Sequence, residues 1–219
     1  MYDTLSMNGS DVAPASGGKA KQLVMFLHGL GADGNDLIGL ADAFADILPD
    51  AHFKSPNAPF YCDMSPMGRQ WFSLQSREAA HMQTGVDAAR PLLDAYIDAA
   101  LVTHNLTLDK LIVIGFSQGT MMALHTLLRR PTPCVAIIGF SGAVIGSARF
   151  TKDITAKPPV CLVHGEEDSV VPFAALPDAE ATLLAAGVPV EAHALAGLAH
   201  GINDAGIDVA RAFLQRVIA

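Results

Sequence analysis

The sequence has few of the residues that build disulfide-linked or metal-bound folds. Only 3 of its 219 residues are cysteine, an odd number without Cys-x-x-Cys spacing. Cys134 and Cys161 stand in apolar runs, which predicts buried, reduced thiols. Cys62 stands in a loop between Tyr61 and Asp63, so it is the one thiol whose exposure the sequence leaves open. The cysteines therefore indicate neither a disulfide framework nor a metal site.

Positive charge and long apolar runs are also scarce. Lys and Arg total 14 against 22 Asp and Glu, the net charge is -8, and no basic cluster occurs. This argues against a nucleic-acid partner, because a phosphate backbone requires a basic face. No run approaches the roughly 18 apolar residues of a membrane span, and residues 1–8 have neither a basic start nor an apolar stretch. We therefore expect a cytoplasmic protein without a membrane span.

The sequence does have a large apolar fraction, 51%, arranged in alternating strand and helix patterns. Short apolar runs predict strands at residues 23–27, 52–55, 111–116, 134–140, 160–164 and 190–195. Residues with helical spacing predict helices at 36–48, 79–105 (with a break or kink at Pro91), 118–130, 173–186 and from 204 onward. Buried strands separated by helices predict a mainly parallel sheet with helices on both faces. We predict one α/β domain over residues 1–219, in which residues 1–20 are irregular or form a hairpin.

A Gly-x-Ser-x-Gly motif follows the predicted strand at residues 111–114 and precedes a predicted helix. Gly115 and Gly119 leave room for a sharp turn, which would present Ser117 at the N-terminus of that helix. In this setting the serine is typical of a catalytic nucleophile, although a tight structural turn is the alternative. Ser141 lies in a similar segment without a helical pattern after it. We therefore expect Ser141 to lie near the site without being the nucleophile.

A serine nucleophile requires a histidine base and a carboxylate to orient that base. Three consecutive acids, Glu166, Glu167 and Asp168, follow the strand at residues 160–164, and His200 follows the strand at residues 190–195 in a glycine-flanked loop. The order serine, acid, histidine is that of the α/β-hydrolases. The residue pattern alone does not choose among the three acids. A neutral histidine base predicts activity that rises with pH.

Two further segments are candidates for binding the reacting groups. The backbone N–H of Gln118 and that of Leu30, in a His-Gly-Leu-Gly segment after the first predicted strand, could hold an oxyanion. We expect His28 and His164 to bond the backbone. A long loop at residues 56–75 carries Trp71 and Phe72 among other aromatic and methionine residues, which could either line a substrate site or pack the loop onto the core. Of these residues, we expect Trp71 first, and Phe72 beside it, to contact substrate.

Taken together, these motifs resemble the phospholipase/carboxylesterase family of α/β-hydrolases, which includes the acyl-protein thioesterases. The resemblance covers nearly the whole chain from Lys21. It rests on five segments in the same order: residues 27–37, 71–72, 115–119, 164–172 and 200–201. The first of these is more similar to bacterial carboxylesterases than to eukaryotic depalmitoylating enzymes. Ser73 departs from the family pattern, in which an acid follows Trp-Phe.

The resemblance implies an α/β-hydrolase fold and a serine hydrolase without a metal or organic cofactor. It selects Asp168 from the three acids, which implies a triad of Ser117, Asp168 and His200. The implied substrates are small acyl esters or lysophospholipids, and an acyl thioester is the main alternative. A binding protein that keeps this fold without catalysis is a remote alternative, because no triad member is missing. Apolar residues near the loops are compatible with a homodimer.

Overall fold

A central sheet of seven strands organises the molecule. The computed structural model describes residues 6–146 and 148–219. The strands are β1 (Ser10–Val12), β2 (Gln22–Leu27), β3 (Ala51–Ser55), β6 (Leu111–Phe116), β7 (Ala136–Phe140), β8 (Val160–Gly165) and β9 (Val190–Leu195). Two further short strands, β4 (Phe60–Tyr61) and β5 (Arg69–Gln70), pair separately as an antiparallel hairpin.

The sheet has the strand order β1-β3-β2-β6-β7-β8-β9. Neighbours from β3 to β9 run parallel, which confirms the predicted mainly parallel sheet. At one edge, β1 pairs antiparallel with β3 through Ser10 opposite Ser55. The N-terminal segment therefore contributes an edge strand, a feature that the prediction of an irregular or hairpin segment over residues 1–20 missed. Residues 1–5 of that segment lie outside the described residues.

Helices cover both faces of the sheet, as the buried strands require. They are α1 (Ala41–Phe44), α2 (Ala79–His104), α3 (Gln118–Leu127), α4 (Ala148–Lys152), α5 (Ala175–Ala185) and α6 (Asp204–Ile218). Apolar residues of α2, α3 and α5 pack with alternate strand residues on one face. Those of α1 and α6 form a second cluster on the other face. Because successive side chains of a strand point to opposite faces, β6 contributes Leu111 and Val113 to the first cluster and Ile112 and Ile114 to the second.

Three helix predictions differ from the structure. The helix α2 continues from Ala79 to His104 through Pro91, so of the two predicted outcomes, a break or a kink, the break does not occur. Burial of Ala89 and Leu93 on both sides of Pro91 holds the helix against the core, which offsets the hydrogen bond that proline cannot donate. The helix predicted at residues 36–48 is shorter: a 3-10 turn at Ile38–Leu40 leads into α1. The helix α4 was not predicted.

All three cysteines are free and buried. This confirms the prediction for Cys134 and Cys161, where burial raises the pKa of each thiol to about 12. The sequence left the exposure of Cys62 open, and the structure buries this residue, which is only 9% exposed. Its backbone N–H donates to Gly68 O at 3.1 Å, between β4 and β5.

Candidate active site

Ser117 lies at the sharp turn between β6 and α3. Its backbone adopts φ 53° and ψ -115°, a left-handed conformation that is unusual for a residue other than glycine. The flanking glycines permit this turn. A Cβ atom on Gly119 would lie 1.9 Å from Leu27 O, and one on Gly115 would lie 2.5 Å from Thr120 N. The turn therefore presents the Ser117 hydroxyl at the carboxyl edge of the sheet.

His200 reaches this hydroxyl from the loop between β9 and α6. Its Nε2 lies 3.1 Å from Ser117 Oγ, and its Nδ1 lies 2.7 Å from Asp168 Oδ2. Because a carboxylate only accepts, Nδ1 carries the proton and Nε2 presents a lone pair to the serine hydroxyl. Asn203 anchors the loop by capping α6, where its Oδ1 accepts from Gly206 N at 2.9 Å. The structure thus brings together Ser117, Asp168 and His200, the first and last of which are 83 positions apart along the chain.

Asp168 is 6% exposed and is held by its own loop. Its Oδ1 accepts from the backbone N–H groups of Val170 and Val171, both at 2.9 Å. Burial acts to raise the pKa of Asp168, but the hydrogen bonds from His200 and from these two amides outweigh it, so the pKa lies below its usual value. The carboxylate is therefore charged near neutral pH and oriented toward His200. By contrast, Glu166 and Glu167 point to solvent.

His164, at the end of β8, also contacts this carboxylate. Its Nε2 lies 2.9 Å from Val171 O and 3.2 Å from Asp168 Oδ2, so one N–H is shared between two acceptors. The backbone contact is the kind that we predicted for this histidine. Its contact with Asp168 was missed, although the i, i+4 spacing of the two residues after a strand was visible in the sequence.

The backbone N–H group of Leu30 belongs to the loop after β2, and that of Gln118 belongs to the first residue of α3, directly after Ser117. Within the described residues, neither group has a hydrogen-bond acceptor. Gln118 is the first residue of α3, so its N–H is one of the groups that a helix leaves unpaired. These two groups are therefore free to bind an oxygen atom.

His28 sets the orientation of the Leu30 amide. Its Nδ1 lies 2.7 Å from Gly29 O, and its Nε2 accepts from Ala58 N at 3.0 Å. Burial lowers the pKa of His28, which favours the neutral ring that these two contacts require. Gly29 C=O and Leu30 N–H belong to one planar trans peptide and point in opposite directions. Fixing the carbonyl therefore fixes the N–H as well.

The structure corrects the prediction that Trp71 and Phe72 contact substrate. Both are buried, Trp71 at 0% and Phe72 at 2% exposure, and neither lines the cavity above Ser117. Trp71 Nε1 donates to His28 O at 2.9 Å. The side chain of Gln118 accepts from Trp71 N and donates to Phe72 O, both at 2.8 Å. These residues therefore pack beneath the loop after β2, which carries His28 and Leu30, as the alternative of packing onto the core predicted.

An open cavity of about 360 Å³ lies above Ser117 and His200. Its walls come from the loops after β2, β7 and β8 and from α2, α3 and α5. Most of the lining side chains are apolar: Leu30, Leu74, Met82, Phe116, Met121, Ala143, Ile145, Val170, Val171, Pro172 and Ala175. An apolar cavity with a few polar groups at one end is typical of a small-molecule site.

Ser141 follows β7 next to the site and also has a positive φ, 47°. It is fully buried, and its Oγ has no hydrogen-bond partner. No histidine contacts it among the described residues, in contrast to Ser117. The geometry thus favours Ser117 as the nucleophile and places Ser141 near the site without that role.

Comparison with known proteins identifies the family. The model of the phospholipase/carboxylesterase family matches residues 8–218. The chain belongs to this family. Its members share the α/β-hydrolase fold, so the predictions of family, fold and hydrolase activity are confirmed.

Three relatives illustrate the range of this family. Esterase YpfH of Escherichia coli strain K12 is 28% identical over 91% of this chain and 84% of its own length. The crystal structure of esterase PE8 is 39% identical and superposes with a TM-score of 0.92, covering 97% of this chain and all of that one. Acyl-protein thioesterase 1 of Candida albicans is 28% identical over 73% of this chain and 76% of its own length.

Within residues 6–146 and 148–219, no three His, Cys, Asp or Glu side chains are grouped so that they could hold a metal ion. No helix in this part of the chain is long and apolar enough to cross a bilayer.

Proposed function

We propose that this family member hydrolyses small carboxylic esters through an acyl-enzyme on Ser117, with His200 as the base and Asp168 as its orienting carboxylate. The observation that carries the proposal is the position of His200. One of its ring nitrogens lies 3.1 Å from Ser117 Oγ and the other 2.7 Å from Asp168 Oδ2. This chain of contacts is the arrangement that activates a serine hydroxyl.

In the first half-reaction, Ser117 Oγ attacks the ester carbonyl carbon while its proton moves to His200 Nε2. The carbonyl oxygen becomes an oxyanion, which accepts hydrogen bonds from the free N–H groups of Leu30 and Gln118. The bond to the leaving alcohol oxygen then breaks, and that oxygen takes the proton from His200. Asp168 stabilises the protonated ring through Nδ1 at 2.7 Å.

In the second half-reaction, water repeats the attack. It gives a proton to His200 Nε2 as its oxygen bonds to the acyl carbon, and the same two N–H groups hold the new oxyanion. The bond to Ser117 Oγ breaks and the proton returns to the serine. The carboxylic acid leaves the cavity, and the contact of 3.1 Å between His200 Nε2 and Ser117 Oγ carries the first and the last of the four proton transfers.

Hydrolysis of p-nitrophenyl esters from two to sixteen carbons tests the proposal. Wild type is expected to cleave part of the series, and Ser117→Ala to lose about a thousandfold or more of the rate. Ser141→Ala is a matched control, since it also removes a buried serine hydroxyl beside the site. Unlike that of Ser117, this hydroxyl has no hydrogen-bond partner. This control is expected to retain activity. Equal rates in Ser117→Ala and wild type would refute the nucleophile assignment.

An acyl thioester is the second candidate substrate, because one relative is named an acyl-protein thioesterase and the cavity walls are mostly apolar. The same residues would act on it, with a thiolate as the leaving group. Comparing kcat/KM for an acyl thioester and the oxygen ester of equal chain length separates the two candidates. A higher value for the oxygen ester supports the esterase proposal, and a higher value for the thioester overturns it.

A further inference from the structure

One positively charged side chain lies at the edge of the apolar cavity. Of the described residues that line the cavity, Arg77 alone carries a permanent charge. It stands in the segment just before α2, and its side chain is exposed. Ser117 and His200 line the same cavity of about 360 Å³, so a substrate bound at Ser117 occupies the cavity that Arg77 borders.

Arg77 makes one hydrogen bond. Its NH1 donates to Val170 O at 3.2 Å, which joins the segment before α2 to the loop that carries Asp168. A guanidinium has five N–H donors, so most of its capacity is unused. Within residues 6–146 and 148–219, no carboxylate forms an ion pair with it.

Other arginines of the chain contrast with Arg77. Arg211 binds Asp46 through two contacts of 2.6 Å, Arg130 binds Asp98, and Arg216 binds Glu191. The chain has 22 acidic residues against 14 basic ones, so partners are plentiful. An arginine that lacks a carboxylate in such a chain, and that borders an apolar cavity, has its charge available to a ligand.

We propose that Arg77 is a specificity-determining residue that binds an anionic group of the substrate, so that the preferred esters carry a carboxylate or phosphate besides the scissile bond. The inference rests on the proposed esterase function. A neutral acyl chain gains only apolar contact with these walls, whereas an anion also gains charge-assisted hydrogen bonds from the free N–H groups. The anionic group can stand on the acyl side, as in a half-ester of a dicarboxylic acid, or on the alcohol side, as in an acyl glycerophosphate.

The alternative is that Arg77 only holds Val170 in place. Two variants separate the roles. Arg77→Gln removes the charge and keeps an N–H donor for Val170 O, whereas Arg77→Lys keeps a charge without the planar fork. If Arg77 acts only on Val170, its variants change the rates for neutral and anionic esters by the same factor.

Two matched substrate pairs provide the test. On the acyl side, p-nitrophenyl hemisuccinate is compared with p-nitrophenyl butyrate, in which a methyl group replaces the carboxylate. On the alcohol side, butyryl glycerophosphate is compared with monobutyrin.

We expect wild type to prefer the anionic member of at least one pair, and the pair that responds identifies the side on which the anion stands. In Arg77→Gln, the ratio of kcat/KM for anionic and neutral esters should fall about three- to fivefold, which is the upper range for an ion pair of an exposed side chain.

Three controls complete the test. The rate on p-nitrophenyl butyrate in Arg77→Gln measures the effect of the lost contact with Val170, which the ratio of anionic to neutral ester cancels, and Arg77→Lys should retain most of the preference. Higher salt should weaken the preference of wild type for the anionic ester and leave its kcat/KM for the neutral ester unchanged. An unchanged ratio in Arg77→Gln, or no anionic preference in either pair, would overturn the inference. If wild type cleaves none of the four esters while folded, the esterase proposal itself fails.

Discussion

The side chain of Gln118 holds the backbone of Trp71. Its Oε1 accepts from Trp71 N at 2.8 Å, and its Nε2 donates to the next carbonyl, Phe72 O, at 2.8 Å. The backbone N–H of the same glutamine is free and lies beside Ser117. In the reaction that we propose, the backbone N–H of Gln118 binds the oxyanion, and its side chain anchors the neighbouring loop.

Replacing Gln118 by leucine should therefore reduce both stability and activity. The change leaves a buried N–H and a buried C=O without partners, which should lower the free energy of unfolding by about 2–4 kcal/mol. The loop at Trp71 also supports His28 O, so kcat should fall about tenfold or more. Urea unfolding and ester hydrolysis measure the two effects. Gln215→Leu on the exposed face of α6 is the control, and equal behaviour of the two variants would contradict the prediction.

The three consecutive acids after β8 should differ sharply in their effect on rate. Asp168→Asn removes the charge next to His200 and should lower kcat by about a thousandfold or more, since the amide can hold the wrong tautomer of the ring. Glu166→Gln and Glu167→Gln change exposed side chains and should leave kcat within about twofold. Steady-state hydrolysis of one ester by all three variants decides the matter. A comparable loss in a glutamate variant would show that the acid has been assigned incorrectly.

The turn at Ser117 leaves no space for a side chain on Gly119. An alanine Cβ there would lie 1.9 Å from Leu27 O and 2.8 Å from His28 O, which are backbone atoms of β2 and the oxyanion loop. Gly119→Ala should therefore destabilise the protein by about 3 kcal/mol or more and abolish activity. Gly39→Ala is the matched control, because nothing lies within 4 Å of its Cβ. Chemical denaturation should separate the two variants, and a stable, active Gly119→Ala would mean that the turn is wider than described.

Stability should fall in mild acid because of His125 in α3. Burial lowers its pKa to about 4, with Arg129 acting in the same direction. The unfolded histidine has a pKa near 6.5, so below that value the unfolded state binds more protons than the folded one. The contribution of His125 is thus complete above about pH 6.5 and is lost as the pH falls toward 4. The loss in the free energy of unfolding should be on the order of 1–2 kcal/mol. Solvent keeps it this small, because water screens Asp87, whose Oδ1 lies 3.0 Å from His125 Nε2.

Comparing variants isolates this contribution from that of other histidines. His125→Gln should show a flatter fall in unfolding free energy between pH 7 and pH 4 than wild type. His81→Gln, at an exposed position, should follow the wild-type curve. If the curves of His125→Gln and wild type run parallel, the histidine is protonated at its usual pH and the prediction is wrong.

The sequence was sufficient to predict the features of this protein that depend on a local pattern of residues. The parallel sheet follows from apolar runs between helical segments, and the elbow at Ser117 follows from two glycines between a strand and a helix. The residues Ser117, Asp168 and His200 each follow a strand, and the carboxyl ends of parallel strands meet at one edge of a sheet. Their positions at the ends of strands therefore predicted that they would lie together, and the structure brings them within hydrogen-bond distance.

Side-chain direction was decided only by the tertiary structure. The sequence does not distinguish a loop aromatic residue that faces a ligand from one that faces the core. In the structure, Trp71 faces inward and packs beneath the loop after β2, where it binds His28 O. The same holds for Pro91, where burial of neighbouring residues kept α2 continuous, and for Cys62, which the hairpin covers. The unpaired state of Arg77 is likewise a property of what surrounds it in space. Local sequence determines the strands, turns and residue types of this protein, whereas contacts between distant segments determine which side chains face the cavity.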